Sequence, residues 1–223
     1  DQAETDEATA TLVNGKAPAA MARACAQLGI PFIHISTDYV FDGAGKTPWP
    51  TDAVTAPIGA YGRSKLLGEQ KVQALGGRYA ILRTSWVVSA HGKNFVKTML
   101  RLGAERDKPT LVAEQIGGPT PARDIANACL AVAAQLATDP GKSGTYHFSG
   151  APDVSWADFA REIFRQAGMS CIVEDIPSSA FPTPARRPQN SRLDNKSFET
   201  TFGIVRPDWR IGLAQILADL REV

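Results

Sequence analysis

Tyr61 and Lys65 stand four residues apart in Tyr61-Gly-Arg-Ser-Lys65. On a helix this offset places a phenol and an ammonium on one face, within reach of a single bound molecule. The pattern alone is common, because many helices carry a half-buried tyrosine and a solvated lysine at this spacing. A second segment gives it weight. Ser36-Thr-Asp-Tyr-Val-Phe-Asp-Gly43 follows a short apolar, β-branched run and brings a hydroxyl, Thr37, to the end of a strand. A threonine hydroxyl, a phenol and an ammonium converging on one spot suit carbonyl reduction: two donors for the oxygen, with a proton source beside it.

The surrounding elements decide whether they converge. Helical periodicity runs from Asp6 to Leu28 and stops at Gly29, and the run Ile30 to Ser36 reads as a buried strand. A Gly- and Pro-bearing loop reaches Pro57, and a helix is expected from Tyr61 to Leu75. Tyr79 to Val88 predicts a second strand, Asn94 to Leu102 a helix, and Thr110 to Glu114 a strand. Ala122 to Leu136 predicts a helix and Gly144 to Gly150 a further strand. Such alternation predicts an α/β fold with a largely parallel sheet covered by helices, and in these sheets reactive groups gather at the strand ends. Beyond Pro152 the pattern changes. Ser155 and Asp158 form a capping box for a helix ending at Gly168, Ser178 to Asn190 is an irregular proline- and arginine-bearing loop, and Trp209 to Leu220 predicts a short helix.

Bulk properties narrow the function. The 223 residues are 43% hydrophobic, enough for a full core, and 24 Lys and Arg against 23 Asp and Glu leave a formal charge of +1. No basic run accompanies that balance, so a nucleic-acid partner is not expected. Cys25, Cys129 and Cys171 are scattered and fit a reducing compartment rather than a disulfide framework. His34, His91 and His147 lack a second ligand at helical spacing, so no metal site is expected. The apolar helical stretch Ala126 to Ala137 falls short of the ~20 residues a bilayer requires. The acidic start supplies no export address, and a cytoplasmic location is expected.

Taken together, the segments Ser36-Thr-Asp-Tyr-Val-Phe-Asp-Gly43, Tyr61-Gly-Arg-Ser-Lys-Leu-Leu-Gly-Glu69, Leu82-Arg-Thr-Ser-Trp86, Gly117-Gly-Pro-Thr120 and Pro184-Ala-Arg-Arg-Pro188 resemble the extended short-chain dehydrogenases, and among them the dTDP-4-dehydrorhamnose reductase family. The resemblance runs over essentially the whole chain. It implies a Rossmann-like, doubly wound parallel sheet with a smaller C-terminal substrate-binding lobe. Residues 1–150 would be the remainder of the NAD(P)-binding domain, with a substrate-lobe excursion near 91–118, and residues 151–223 mainly the substrate lobe. It implies reduction of a 4-keto nucleotide sugar by NADPH or NADH, as in dTDP-L-rhamnose and surface-polysaccharide synthesis, and leaves Mg2+ and a homodimer open. Tyr61 would protonate the C4 oxygen and Thr37 would hydrogen-bond it. Lys65 would hold the nicotinamide ribose and lower the Tyr61 pKa. A drop of ~3 units takes about 4 kcal/mol, at ~1.36 kcal/mol per unit. Thr37, Asp38 and Trp86 would line the sugar-nucleotide site, and Arg186 and Arg187 would pair with the diphosphate through forked hydrogen bonds.

The chain departs from the family pattern at its start. No G-x-G-x-x-G occurs, and Asp1 aligns just after the family's third strand, so roughly 60–70 residues of that pattern, about two βα units, are not in this sequence. A sheet without them would expose an unpaired central edge. Two other functions compete: a non-catalytic reductase-like binding or regulatory subunit, and a reductase of a different 4-keto sugar. Joint retention of Thr37, Tyr61 and Lys65 speaks against the first.

Overall fold

The computed structural model describes residues 2–221. Two short helices, α1 (Gln2–Thr5) and α2 (Glu7–Thr11), lead through a π-turn at Leu12–Lys16 into α3 (Ala17–Leu28), which stops at Gly29 in the left-handed region, φ +67°. β1 (Phe32–Thr37), α4 (Ala60–Leu75) and β2 (Tyr79–Thr84) follow. Next come β3 (Val87–Val88), α5 (Phe95–Glu105), β4 (Thr110–Val112), β5 (Ile116–Gly117), β6 (Thr120–Pro121) and α6 (Ala122–Thr138). The chain ends with β7 (Gly144–His147), β8 (Val154–Ser155), α7 (Trp156–Ala167), β9 (Glu174–Ile176), β10 (Asn190–Ser191), α8 (Lys196–Phe202) and α9 (Trp209–Asp219).

The main sheet is parallel, in the order β1-β2-β7, with Ser36 opposite Arg83 and Arg83 opposite His147. Alternation along the strands sorts residues to two faces. Ile33, Ile35, Ala80, Leu82 and Tyr146 pack with Ile125, Ala128, Val132 and Leu136 of α6 and with Phe198 and Phe202 of α8. Ile81 points the other way, to Ala22 of α3 and Val72 of α4. Among the described residues no strand pairs with the outer edge of β1.

A second core joins Val96 and Met99 of α5, Phe159, Ile163 and Phe164 of α7, and Trp209, Leu213 and Ile216 of α9. Ser155 caps α7 as its spacing predicts, accepting from the Asp158 amide, and Asn94 caps α5. One expectation needs correction. The strand expected over Tyr79 to Val88 breaks after Thr84, because Trp86 turns the chain at φ +48° and sends Val87–Val88 to pair with β6. The strand at Thr110 lies outside the main sheet and pairs with β9. α8, unmarked in the sequence reading, returns the C-terminal part of the chain to the main sheet.

α4 lies close to its neighbours because two glycines permit it. A Cβ on Gly62 would stand 2.2 Å from the Tyr39 carbonyl oxygen and one on Gly68 2.2 Å from that of Asn14. Both obstacles are backbone and cannot swing aside. Gly62→Ala is therefore expected to cost about 1–3 kcal/mol of stability, read as a lower urea midpoint with an unchanged slope; a midpoint equal to wild type would show that α4 can retreat.

Candidate active site

Thr37 ends β1 and Asp38 follows it, at the carboxyl end of a parallel strand. Both are buried. The Tyr39 amide donates to Thr37 Oγ1 at 3.1 Å, and Thr37 donates to Asp38 Oδ1 at 3.2 Å. Tyr61 and Lys65 come from the first two turns of α4, as the spacing predicts. Glu4 Oε1 accepts from the Ala60 amide at 2.7 Å, and Arg63 is forked onto Glu7 at 2.8 Å, so the N-terminal helices pin the start of α4. Lys65 Nζ donates to the Ile35 carbonyl at 2.5 Å, stitching helix to strand one residue before Ser36.

A cleft of about 820 Å³ opens at this strand end, and Thr37, Asp38, Tyr61, Lys65, Trp86, Arg186 and Arg187 all line it. The sequence therefore names seven residues that the fold brings to one cavity. The loop carrying the arginines is anchored to the Thr37 segment: Asn190 N donates to the Gly43 carbonyl at 3.0 Å, and Pro188 occupies the space a Gly43 side chain would take. Gly43 has φ +75°, so a side chain there would be strained as well. Arg186 and Arg187 are exposed on the cleft side of that loop, free to meet an anion.

An aromatic wall faces them. Trp86 stacks on Trp156 with ring centroids 3.5 Å apart and planes 9° from parallel, and Phe95 lies 4.4 Å from Trp156. Trp156 Nε1 donates to Gln115 Oε1 at 3.2 Å. Gly117 makes room for Trp86, since a Cβ there would approach its indole to 2.8 Å. Sequence reasoning singled out Trp86 but missed Phe95, Gln115 and Trp156, which come from three separate stretches of the chain and share no spacing. Tyr39, missed although it lies inside the Ser36–Gly43 segment, meets Tyr61 edge-on at 5.7 Å.

The electrostatics differ from expectation. The Tyr61 pKa is raised rather than lowered. Burial raises that pKa, the Asp38 charge raises it further, and a hydrogen bond with Thr37 opposes them. Although 40% of the Tyr61 surface is accessible, the cleft walls enclose it closely enough for desolvation to dominate. Burial also lowers the Lys65 pKa, against a raising influence from Glu69. Asp38 is pushed up to about 7 by burial, opposed by hydrogen bonds from Ser191 and Thr37. Its Oδ2 has no partner. Tyr39 is pushed up to about 12 by burial and the Asp38 charge, with Arg187 pulling it down. The site at rest thus holds a protonated phenol beside a carboxyl reluctant to ionise.

Among the described residues, no group of three or more His, Cys, Asp or Glu is placed to hold a metal ion, and no helix is long and apolar enough to cross a membrane.

The model of the RmlD substrate binding domain matches residues 1–222. A dTDP-4-dehydrorhamnose reductase of Sinorhizobium fredii is 46% identical, over 94% of this chain and 73% of its own length. One from Escherichia coli K12 is 40% identical, over 99% and 76%. The crystal structure of a dTDP-4-dehydrorhamnose reductase from Clostridium acetobutylicum superposes with a TM-score of 0.92 at 38% identity, covering 100% of this chain and 77% of that one. That of a dTDP-4-dehydrorhamnose reductase from Bacillus anthracis in complex with NADP gives 0.88 at 37%, covering 98% and 76%.

Because the folded Asp38 pKa lies above the ordinary carboxylate value of 3.8, folding favours its protonated form. Its penalty is absent below the unfolded value and grows as pH rises toward about 7. Asp38→Asn should therefore gain stability relative to wild type as pH increases from 4 to 8, measured as the difference in urea midpoints; a constant difference would mean Asp38 is ionised without cost.

Proposed function

The chain belongs to the RmlD substrate-binding family, and from that premise we propose that it reduces dTDP-4-dehydro-L-rhamnose to dTDP-L-rhamnose with hydride from NADPH or NADH, a step in nucleotide-sugar and surface-polysaccharide synthesis. The observation that carries this reading is the meeting of Thr37, Tyr61 and Lys65 at one strand end, inside a cleft rimmed by Arg186 and Arg187.

The residues suit a nicotinamide nucleotide. Lys65 gives one N–H to Ile35 and keeps two for ribose hydroxyls, and Tyr61 stands a helical turn away on the same face. The bound dinucleotide supplies the hydride. Tyr61 gives its proton to the C4 oxygen; because burial raises its pKa and weakens it as an acid, the transfer depends on a cation that stabilises the phenolate. Thr37 holds that oxygen through its hydroxyl. The Lys65 ammonium, one helical turn away on the same face, is the cation placed to stabilise the phenolate left behind. Arg186 and Arg187 fork onto the diphosphate, while Asp38 and Trp86 bound the sugar.

Residues 1–150 form the cofactor side, apart from an excursion near 91–118, and residues 151–223 mainly the substrate side; the two separate cores support this division. The scattered cysteines fit a reducing compartment, which supports a cytoplasmic location. A homodimer is the assembly that sedimentation should seek.

Tyr61→Phe is expected to keep nucleotide-sugar affinity and to lower turnover at least ~10²-fold, the lower end for a positioned acid, followed by loss of reduced-nicotinamide absorbance. Turnover near wild type would remove Tyr61 as the donor. Arg187→Ala should weaken dTDP binding in calorimetry, whereas unchanged affinity would place the diphosphate elsewhere.

A further inference from the structure

At the inner wall of the cleft, which Ser36 lines, lies a buried polar cluster that the reaction itself does not use. Glu69 and Arg83 are 1% and 4% exposed. Arg83 Nη2 donates to Glu69 Oε2 at 2.7 Å and Arg83 Nε to Glu69 Oε1 at 3.0 Å, a forked pair. Ser36 Oγ donates to the same Oε1 at 2.5 Å. The remaining Arg83 Nη1 donates to the Thr51 carbonyl at 3.1 Å, and the guanidinium sits 5.1 Å from the centroid of the Phe41 ring.

These partners belong to the elements that carry the site. Ser36 lies between Ile35, whose carbonyl Lys65 holds, and Thr37. Glu69 is one helical turn beyond Lys65 on α4, and Arg83 is opposite Ser36 on β2. Thr51 belongs to the loop that joins Thr37 to α4. Lys65 and Glu69 therefore grip adjacent residues of one strand end from adjacent turns of one helix. A buried ion pair gives little net stability against an apolar replacement, so stability alone is a weak reason for one here. Its directional hydrogen bonds do fix the distance and rotation of α4 on the strand.

We propose that the Ser36–Glu69–Arg83 cluster is a positioning device that sets Tyr61 and Lys65 against Thr37, and that Ser36, Glu69 and Arg83 act on the rate without touching substrate. The inference rests on the reductase reading. Small misplacements of reacting groups cost rate steeply, so release of one tether is expected to show in kcat.

The test compares wild type, Tyr61→Phe, Ser36→Ala and the charge-free pair Glu69→Gln with Arg83→Met in steady-state reduction of the 4-keto nucleotide sugar, with thermal unfolding of each. Ser36→Ala should lower kcat about tenfold with KM for the nucleotide sugar within twofold, and should be folded at the assay temperature. Ser36→Thr, which keeps the hydroxyl, should recover most of the rate. The charge-free pair, which leaves no unpaired ion, should fold and remain slow. A normal kcat in Ser36→Ala or in the folded pair, with only the melting temperature changed, would overturn the proposal and leave the cluster a packing feature. Failure of the wild-type protein to reduce the 4-keto nucleotide sugar with either nicotinamide nucleotide would instead sink the reductase reading, whatever Ser36 does.

Discussion

Where α4 crosses the end of the sheet, backbone approaches backbone. Gly62 and Gly68 leave no side chain to hold the helix away from Tyr39 and Asn14, and everything chemical in the molecule depends on that closeness. The phenol and the ammonium ride on the helix while the hydroxyl rides on the strand. A helix displaced by the width of a methyl group would still be a good helix in a good core, yet it would no longer bring three polar groups to one point. Hydrogen bonds from Lys65 to Ile35 and from Ser36 to Glu69 then convert proximity into registration, because they are directional where apolar contact is not.

Burial around this point is electrostatically costly and chemically useful. Asp38, almost without solvent exposure and with one oxygen unpartnered, resists ionisation. The same surroundings raise the Tyr61 pKa and lower that of Lys65. Burial biases each of the three toward its neutral form. The exposed arginines supply the opposite condition: they stay hydrated, wait on a loop anchored through Pro188, and meet an anion at the rim rather than in the interior.

Much of this was legible in the sequence, for reasons that vary by residue. Tyr61 and Lys65 are tied by helical period, and the strand before Thr37 announces itself by β-branched residues bounded by polar ones. Capping by Ser155 follows from local chemistry. What failed was non-local. The break at Trp86 depends on a left-handed residue that no propensity would place there. The pairing of β4 with β9 joins segments more than sixty residues apart. The Trp156–Gln115 contact and the Arg83–Glu69 pair arise from tertiary geometry, and a buried arginine inside an apolar strand looks from sequence alone like a flaw in the strand. The sign of the Tyr61 shift was missed because spacing reveals Lys65 but says nothing about how much water the cleft excludes.

The stacked indoles of Trp86 and Trp156 have a consequence outside catalysis. At 3.5 Å and nearly parallel, two indoles couple their electronic transitions, so the pair absorbs and rotates light as one chromophore rather than two. Both rings line the cleft. The protein therefore carries its own optical gauge of occupancy: whatever shifts one ring against the other rewrites the near-ultraviolet dichroism, with no label and no turnover needed to see it.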